Sequence, residues 1–291
     1  MPSLKDIRKR IGSVRNTQKI TRAMKMVAAA RLRRAQQRVV ELRPFARTTN
    51  EILQSVVARL RDEEELHPLL VQRPVQHAYV LVLTSDRGLA GAFNANAQRR
   101  AFQLWKELES RGAQVRFGCM GRKGRDYLAR RGAEIADDYK GIFEGGGSSE
   151  HVGSIARALV ADFQAQKVDA VYVVYNEFRS AITQNVRADM ILPLVPEQVE
   201  ESPTQSELLY EPDRRSLLET LLPMQVQTQL YRALLESIAS EHGARMTAMD
   251  AATNNAKDMI SRLTLQFNRA RQAAITKELV EIISGAEAIR D

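Results

Sequence analysis

Cysteine and histidine are scarce in this chain of 291 residues. Its one cysteine, Cys119, excludes an internal disulfide. Cys119 also lies in the apolar run 115–120, which favours a buried structural thiol over a catalytic nucleophile. The four histidines are scattered without the spacing of metal ligands, so no metal site is predicted: His67, His77, His151 and His242.

Long apolar runs are also missing. No stretch approaches the 18 or more apolar residues typical of a membrane-spanning helix, and residues 1–20 lack the apolar segment of a signal peptide. We therefore expect the protein to stay in the cytosol. Hydrophobic residues make up 44% of the chain and charged residues 27%, which is ordinary for a soluble protein of one or two domains.

Acidic residues are nearly absent from the first 43 positions. Thirteen Lys or Arg residues stand there against two acids, Asp6 and Glu41, whereas the whole chain carries a formal net charge of +8. The remainder is therefore slightly acidic. A solvated helix surface usually mixes both signs of charge, so this segment predicts an acidic partner: nucleic acid, anionic lipid or an acidic protein.

Both ends of the chain carry the three-four spacing of a coiled-coil seam. In the N-terminal segment the spacing is interrupted by Gln18, Thr21 and Lys25, and an apolar stripe at Ile20, Met24 and Val27 predicts a change of face there. The N-terminal seam consists of Leu4, Ile7, Ile11, Val14, Ala28, Leu32, Ala35, Val39 and Leu42.

The C-terminal segment repeats this spacing. Its seam consists of Met246, Met249, Thr253, Ala256, Ile260, Leu263, Phe267, Ala270 and Ala274. A second apolar series continues one position out of step, at Ile275, Leu279, Ile282, Ala286 and Ile289.

Two matching seams predict an antiparallel pair made by the two ends of the chain. At about 1.5 Å per residue, the N-terminal helix would span roughly 70 Å and the helix after Pro223 roughly 100 Å, so the second should extend beyond the first. A helical hairpin that only caps a domain is the alternative. The length favours a coiled coil, because globular helices rarely exceed about 25 residues.

The middle of the chain alternates strand and helix patterns. Strands are predicted at 79–84, 115–120, 170–175 and 186–194, and helices at 95–111, 123–131 and 150–166. This alternation predicts a Rossmann-like, mostly parallel α/β domain. The predicted organisation is thus a coiled-coil helix at 1–60, a central α/β domain at 75–196, and a C-terminal helix at 208–291 that pairs with 1–60.

One loop could carry chemistry. Residues 85–94 follow the first predicted strand and contain Gly88 and Gly91, a place where α/β sheets bind ligands. The loop matches neither phosphate-binding glycine motif, so a tight turn with Asn94 capping the next helix is favoured over nucleotide binding. A third interpretation is that Asp86 and Arg87 contact another protein.

The chain shows no paired nucleophile and base, and no convincing pair of acids. We therefore predict a protein that is not an enzyme and has no cofactor.

Three blocks of the sequence resemble the gamma subunit family of bacterial F-type ATP synthases. They are the basic segment 7–36, the central loop TSDRGLAGAFNAN at 84–96, and the C-terminal segment 240–288, which includes ITKELVEIISGAEA. The short motif YEPD at 210–213 lies between the last two. Together they span nearly the whole length of the chain in order.

The resemblance implies the central rotor shaft of the enzyme, which couples ion flow through a membrane c ring to catalysis in a ring of alpha and beta subunits. The implied partners are the alpha, beta and epsilon subunits and the c ring. Membrane association would be indirect, at the cytoplasmic face of the inner membrane, and no nucleic acid partner is implied.

The resemblance also implies roles for residues. Contacts with the beta subunit would involve Arg8, Arg15, Arg22, Met24, Lys25, Arg87, Arg271, Gln272 and Thr276. A tail turning in an apolar sleeve would present Leu279, Ile282, Ile283, Ala286 and Ile289. Tyr210 and Glu211 would rest on the c ring.

Two other functions stay open at this point. A basic coiled coil could bind nucleic acid, although the basic segment has no aromatic residue before Phe45 to stack on bases. A nucleotide-dependent enzyme could instead use the loop that begins at Ser85.

Overall fold

The structure is a computed structural model that describes residues 3–57, 67–143, 145–195 and 214–287. It divides into two compact units. The first unit combines residues 1–28 with residues 246–291, and the second comprises residues 29–245. Among the described helices, none has an apolar stretch that is long enough to cross a membrane.

The second unit contains a five-stranded sheet with strand order β3-β2-β1-β4-β5. The first four strands run parallel, and β5 pairs antiparallel with β4. The strands are β1 His77–Leu83, β2 Gln114–Met120, β3 Glu134–Tyr139, β4 Ala170–Phe178 and β5 Gln184–Leu192. The predicted mostly parallel α/β sheet is therefore confirmed.

Three helices of ordinary length accompany the sheet: α2 Phe93–Glu109, α3 Arg122–Ala129 and α4 Ser149–Gln164, and a short 3-10 helix spans Pro68–Leu70. Strand β1 is buried along nearly its whole length, and α2 covers part of the sheet with an apolar stripe that includes Ala101, Leu104 and Leu108. Such a continuous apolar run is what a parallel strand covered on both faces requires.

Strand β3 was not predicted from the sequence. Its sequence EIADDY carries three acids, and its residues are half-buried or exposed. Because it lies at the edge of the sheet, it needs little apolar side chain, and the hydrophobic pattern that reveals central strands is weak there.

Two very long helices carry residues of both units: α1 spans Leu4–Val57 and α5 spans Arg214–Glu287. Pro44 lies inside α1, and Pro223 lies inside α5 instead of preceding it. Buried residues beyond each proline, such as Val56 and Leu218, hold the helix there by packing. Packing therefore outweighs the local cost of the proline.

In the first unit, α1 and α5 form an antiparallel coiled coil. Thr21 contacts Thr253 and Lys25 contacts Asp250, whereas Arg8, nearer the chain start, lies over Phe267, nearer the chain end. Counting outward from the two threonines places each α1 seam residue opposite an α5 seam residue, from Leu4 with Ala270 to Ala28 with Met246. The predicted α5 seam is confirmed, because all nine of its residues are buried or half-buried.

The predicted change of face in α1 is wrong. Ile20 is 60% exposed and Val27 is 53% exposed, whereas Gln18, Thr21 and Lys25 are buried or half-buried. The seam therefore continues straight through three polar residues. It can do so because Thr21 and Lys25 find polar partners on α5, which removes the cost of burying them unpaired.

In α5 the predicted second apolar series does not form a seam. Ile275, Leu279 and Ile282 are exposed, and the last half-buried residue before them is Ala274, which ends the first seam. The reason is the length of the partner helix: α1 begins at Leu4, whose counterpart is Ala270. The predicted extension of α5 beyond α1 is thus present within the first unit.

Candidate partner-binding surfaces

Three arginines of α1 lie on one side of the coiled-coil seam. Arg8, Arg15 and Arg22 are seven residues apart, so each follows a seam residue in the same way and all three share one helix face. All three are exposed. This arginine row gives the first unit a line of positive charge that a negatively charged surface could meet.

Arg8 also has a partner within the unit. Its guanidinium carbon lies 5.4 Å from the centroid of the Phe267 ring on α5, a distance at which cation and ring attract each other. The contact orients one end of the arginine row while leaving the charge accessible to solvent.

Met24 and Lys25, which were predicted to contact the beta subunit, lie at the seam and are half-buried. The Lys25 Nζ atom donates a hydrogen bond to Asp250 Oδ1 at 2.6 Å, with both side chains a little under half exposed. The structure thus gives Lys25 a partner inside the coiled coil, and contact with another subunit stays a prediction.

The end of α5 carries the remaining predicted contacts of the first unit. Arg271, Gln272 and Thr276 are exposed, and the Thr276 hydroxyl donates to the Gln272 carbonyl at 2.9 Å. Further along, the exposed tail presents Leu279, Ile282 and Ile283, each more than half exposed. Large apolar side chains exposed along one helix mark a surface that a partner covers.

Several predicted residues cannot be placed. Ala286 lies in α5, but its side chain is outside the described part of the structure. Ile289, Tyr210 and Glu211 lie outside the described residues altogether. Their roles remain predictions.

In the second unit the loop after β1 is held by hydrogen bonds from its own residues. The Asn94 side-chain oxygen accepts from the Ser85 backbone N–H at 2.9 Å, and the Ser85 hydroxyl donates to the Arg87 carbonyl at 2.5 Å. Asp86 Oδ1 accepts from the Arg122 backbone N–H at 3.0 Å. The loop therefore has a defined shape, with Arg87 exposed on it.

The expectation that Asn94 caps a helix is wrong. Helix α2 begins at Phe93, its N-cap residue is Ala92, and no side chain makes a capping hydrogen bond there. Asn94 lies in the first turn, and its amide is used to close the loop on Ser85 instead. The sequence pattern of a polar residue before a helix could not distinguish these two uses.

A buried polar cluster joins α5 to this loop within the second unit. Arg245 Nη2 donates to the Gly88 carbonyl at 3.2 Å and to Glu241 Oε1 at 2.8 Å. Glu241 and His242 are both buried. Sequence reasoning missed this cluster, because its residues lie about 150 positions from the loop and match no motif.

The pKa values of two groups in this cluster are shifted in opposite directions. Burial raises the pKa of Glu241, although the neighbouring Arg245 opposes this effect. Burial, followed by the charges of Arg245 and Arg31, lowers the pKa of His242 to about 4. His242 is therefore neutral at pH 7, and its Nδ1 atom, 3.6 Å from Glu241 Oε2, forms no ion pair with it.

A groove of about 1140 Å³ opens elsewhere in the second unit, between α1, α5 and the strands β4 and β5. In its wall the Tyr175 hydroxyl donates to Asp189 Oδ2 at 3.0 Å, and Gln225 Nε2 donates to Asn50 Oδ1 at 3.2 Å. No group of three or more potential metal ligands occurs among the described residues. The groove lacks the paired nucleophile and base of a hydrolytic site.

Comparisons with known proteins agree along the whole chain. A family model described as ATP synthase matches residues 3–289. An ATP synthase gamma chain of Sorangium cellulosum (strain So ce56) is 48% identical over 324 residues, with both chains fully covered. The gamma chain of Anaeromyxobacter sp. (strain Fw109-5) is 49% identical over 291 residues, again with full coverage of both.

Solved structures give the same fold. A chain of the Tetrahymena thermophila mitochondrial ATP synthase central stalk and c-ring superposes with a TM-score of 0.59 at 25% identity, covering 80% of this chain and 99% of that one. A chain of the Euglena gracilis mitochondrial ATP synthase gives a TM-score of 0.65 at 18% identity, covering 98% and 94%. By its sequence over this full length, the chain belongs to the ATP synthase gamma chain family.

Proposed function

We propose that this chain is the central-stalk rotor subunit of an F-type ATP synthase. It transmits rotation of a membrane c ring to a catalytic ring of alpha and beta subunits, with the epsilon subunit as a further partner. Family membership over the full length supports this role. The observation that carries it in the fold is the α5 tail, whose apolar residues after Ala274 have no α1 residue opposite them and are exposed.

An asymmetric shaft explains how rotation reaches the catalytic subunits. One coiled coil inside three equivalent beta subunits offers each of them a different surface, so it favours a different conformation in each. Coupling requires that the shaft bind one conformation better than another, and differences of about 1–3 kcal/mol are typical of coupled sites. Turning the shaft passes these conformations from one subunit to the next.

The arginine row and the end of α5 are the proposed contacts with the beta subunits. Arg8, Arg15 and Arg22, with Met24 and Lys25 beside them, would face an acidic segment, as would the exposed Arg87 on its loop. Arg271, Gln272 and Thr276 would meet a loop of the same subunit. The arginine row, Arg87 and Arg271 are all exposed, which supports this assignment.

The exposed tail is proposed to turn within an apolar sleeve of the catalytic ring. Leu279, Ile282 and Ile283 would form this bearing together with Ala286 and Ile289. An apolar bearing suits rotation, because apolar contacts are not directional and need no hydrogen bond to be broken at each step. Tyr210 and Glu211 are proposed to contact the c ring.

The chain is proposed to hold no catalytic site of its own. It would lie at the cytoplasmic face of the inner membrane, attached through the c ring.

Charge reversal in the assembled complex tests the proposed contact. The variant R8E/R15E/R22E should uncouple ATP hydrolysis from rotation, because it sets negative charge against an acidic partner. The matched control is K5E/K9E/K19E, which changes the net charge equally on other exposed positions of α1 and should keep most of the coupling. If coupling in R8E/R15E/R22E were unchanged, the arginine row would not be part of the contact with the beta subunits.

A further inference from the structure

The seam of the coiled coil contains a polar layer, made by Thr21 and Lys25 of α1 with Thr253 and Asp250 of α5. The Thr253 hydroxyl lies 2.8 Å from the Thr21 hydroxyl and 2.7 Å from the Met249 carbonyl of its own helix, so these two oxygens are alternative acceptors for its one proton. The Thr21 hydroxyl donates to the Gln18 carbonyl at 3.1 Å. One helical turn away, Lys25 donates to Asp250 at 2.6 Å. Each helix thus contributes one hydroxyl and one charged group to the polar layer, and each group lies next to its counterpart on the other helix.

The rest of the seam does not define how far one helix is shifted along the other. It is made mostly of Ala and medium-sized apolar residues at a regular spacing, so a shift by one heptad again places apolar residues face to face at Ile7, Ile11 and Val14. Ile11, for example, faces Leu263 in the observed register and would face Ala270 after such a shift. Apolar packing discriminates weakly between these arrangements, since it has no direction.

The polar layer does discriminate between them. After the same shift, Thr21 would face Ile260, so its hydroxyl would lose the interhelical hydrogen bond. Lys25 would leave Asp250 and approach Lys257, which replaces an attraction with a repulsion. A shift in the opposite direction would put Thr21 against Met246. Polar residues at seam positions are known to fix register in this way at some cost in stability.

We infer that the polar layer of Thr21, Lys25, Asp250 and Thr253 sets the axial register of the coiled coil. Its residues act as positioning residues. Through the register they determine which surfaces of α1 and α5 lie at the same height: Arg22 lies level with the polar layer, whereas Arg271 lies level with the start of α1. This consequence for coupling rests on the proposed rotor function, but the register itself does not.

Register-specific disulfides in the full chain, within its assembled complex, test this inference. The pair I11C/L263C reports the observed register, and the pair I11C/A270C reports the shift by one heptad. Mass spectrometry of the linked peptides gives the yield of each. The native Cys119 is fully buried and its pKa is raised to about 12 by burial, so it does not compete for oxidation.

Two sets of variants separate register from general stability. T21V/T253V keeps the side-chain shape and removes the hydroxyls, so thermal stability should hold or rise while the yield of the shifted link increases. K25E should increase that yield by up to about fivefold, the range of a surface ion pair. K25E/D250K should lower it again, because the ion pair of the observed register returns, but part of the increase should remain because the glutamate at position 25 would still meet Lys257 after the shift.

A shifted link that stays at its starting yield in T21V/T253V and in K25E would overturn the inference, as would a yield in K25E/D250K that is no lower than in K25E. The disulfide yields do not depend on rotation. If the register changes but coupling does not, the positioning role in the shaft is contradicted while the register assignment stands. R47E/E51R, which exchanges an exposed pair within α1, is the matched control and should leave both yields unchanged.

Discussion

The guanidinium of Arg245 on α5 donates a hydrogen bond to the carbonyl oxygen of Gly88, 157 positions earlier in the chain, at a distance of 3.2 Å. The same Nη2 atom also donates to Glu241 at 2.8 Å, and both side chains of that pair are largely buried. The shape of the loop after β1 is thus held by a hydrogen bond from α5 as well as by the loop's own hydrogen bonds. Arg87 lies on this loop, so its position depends on Arg245.

Replacing Arg245 by Met should loosen the loop and destabilise the second unit. Removal of one partner leaves Glu241 buried without its pair, which typically costs about 3 kcal/mol. Amide hydrogen exchange at residues 85–91 should accelerate, and the free energy of unfolding should fall. R245M/E241Q should recover part of the loss because the unpaired charge is gone. Unchanged exchange in this segment would contradict the link.

The matched control for this change is Arg47→Met. Arg47 pairs with Glu51 at 2.6 Å, but the side chain is mostly exposed, so its loss should change the free energy of unfolding by less than about 0.5 kcal/mol.

Acid should destabilise the second unit through His242. The pKa of His242 is lowered from 6.5 to about 4, so the unfolded chain binds more protons between these values. Its contribution to stability is therefore complete above pH 6.5 and is lost as the pH falls towards 4, by at most about 3 kcal/mol. Denaturant titrations at several pH values should show a smaller loss on acidification in H242Q than in the unchanged chain.

Glu241 acts in the opposite direction. Its pKa is raised by burial, so its contribution is complete below pH 4.5 and is lost as the pH rises through the folded value. Removal of this group in E241Q should therefore make the loss on acidification steeper. Equal pH dependence in H242Q and the unchanged chain would show that His242 does not titrate as its burial implies.

Much of the fold could be predicted from local pattern. The seams were visible because seven-residue periodicity survives over many turns, and the central strands because they are continuous apolar runs. The polar seam residues were wrongly predicted to interrupt the seam, because Thr21 and Lys25 look like interruptions until their partners Thr253 and Asp250 are known. Only tertiary structure shows that a polar residue is paired rather than turned away.

The features of the candidate surfaces also divide into those that the sequence predicts and those that it does not. The arginine row follows from a heptad count, and the exposed tail follows from the greater length of α5. The cluster of Arg245, Glu241 and His242 could not be predicted, because a side chain that reaches a distant backbone carbonyl leaves no trace in spacing. The role of Asn94 was misassigned for the same reason.

The course of the α1 seam can be tested by two matched truncations. Ile11 is buried at the seam, so Ile11→Ala should lower the free energy of unfolding of the first unit by about 2 kcal/mol, at the low end for such truncations because the coiled coil is thin. Ile20→Ala removes the same atoms from an exposed position and should change it by less than about 0.5 kcal/mol. Equal effects, measured by thermal unfolding or hydrogen exchange, would mean that the seam does turn towards Ile20.

Gly118 in β2 should not tolerate a side chain. A Cβ atom there would lie 2.0 Å from the Tyr79 hydroxyl, which donates to Asp137 at 2.7 Å across the strand. Gly118→Ala should displace the tyrosine and cost about 1–3 kcal/mol. Gly12→Ala is the control: it lies in α1 with open space around it, so it should stabilise the helix by about 0.5–1 kcal/mol. A stabilising Gly118→Ala would contradict the observed packing.

Rotation of the chain within its complex is the most direct test of the central claim. Ile182 is 84% exposed, so I182C offers an attachment point for a visible probe, while the native Cys119 stays buried. With the catalytic ring fixed to a surface and ATP supplied, the account predicts that the probe turns in one direction and pauses at three positions per turn. A probe that stays fixed relative to the ring, while ATP hydrolysis continues at its full rate, would contradict it.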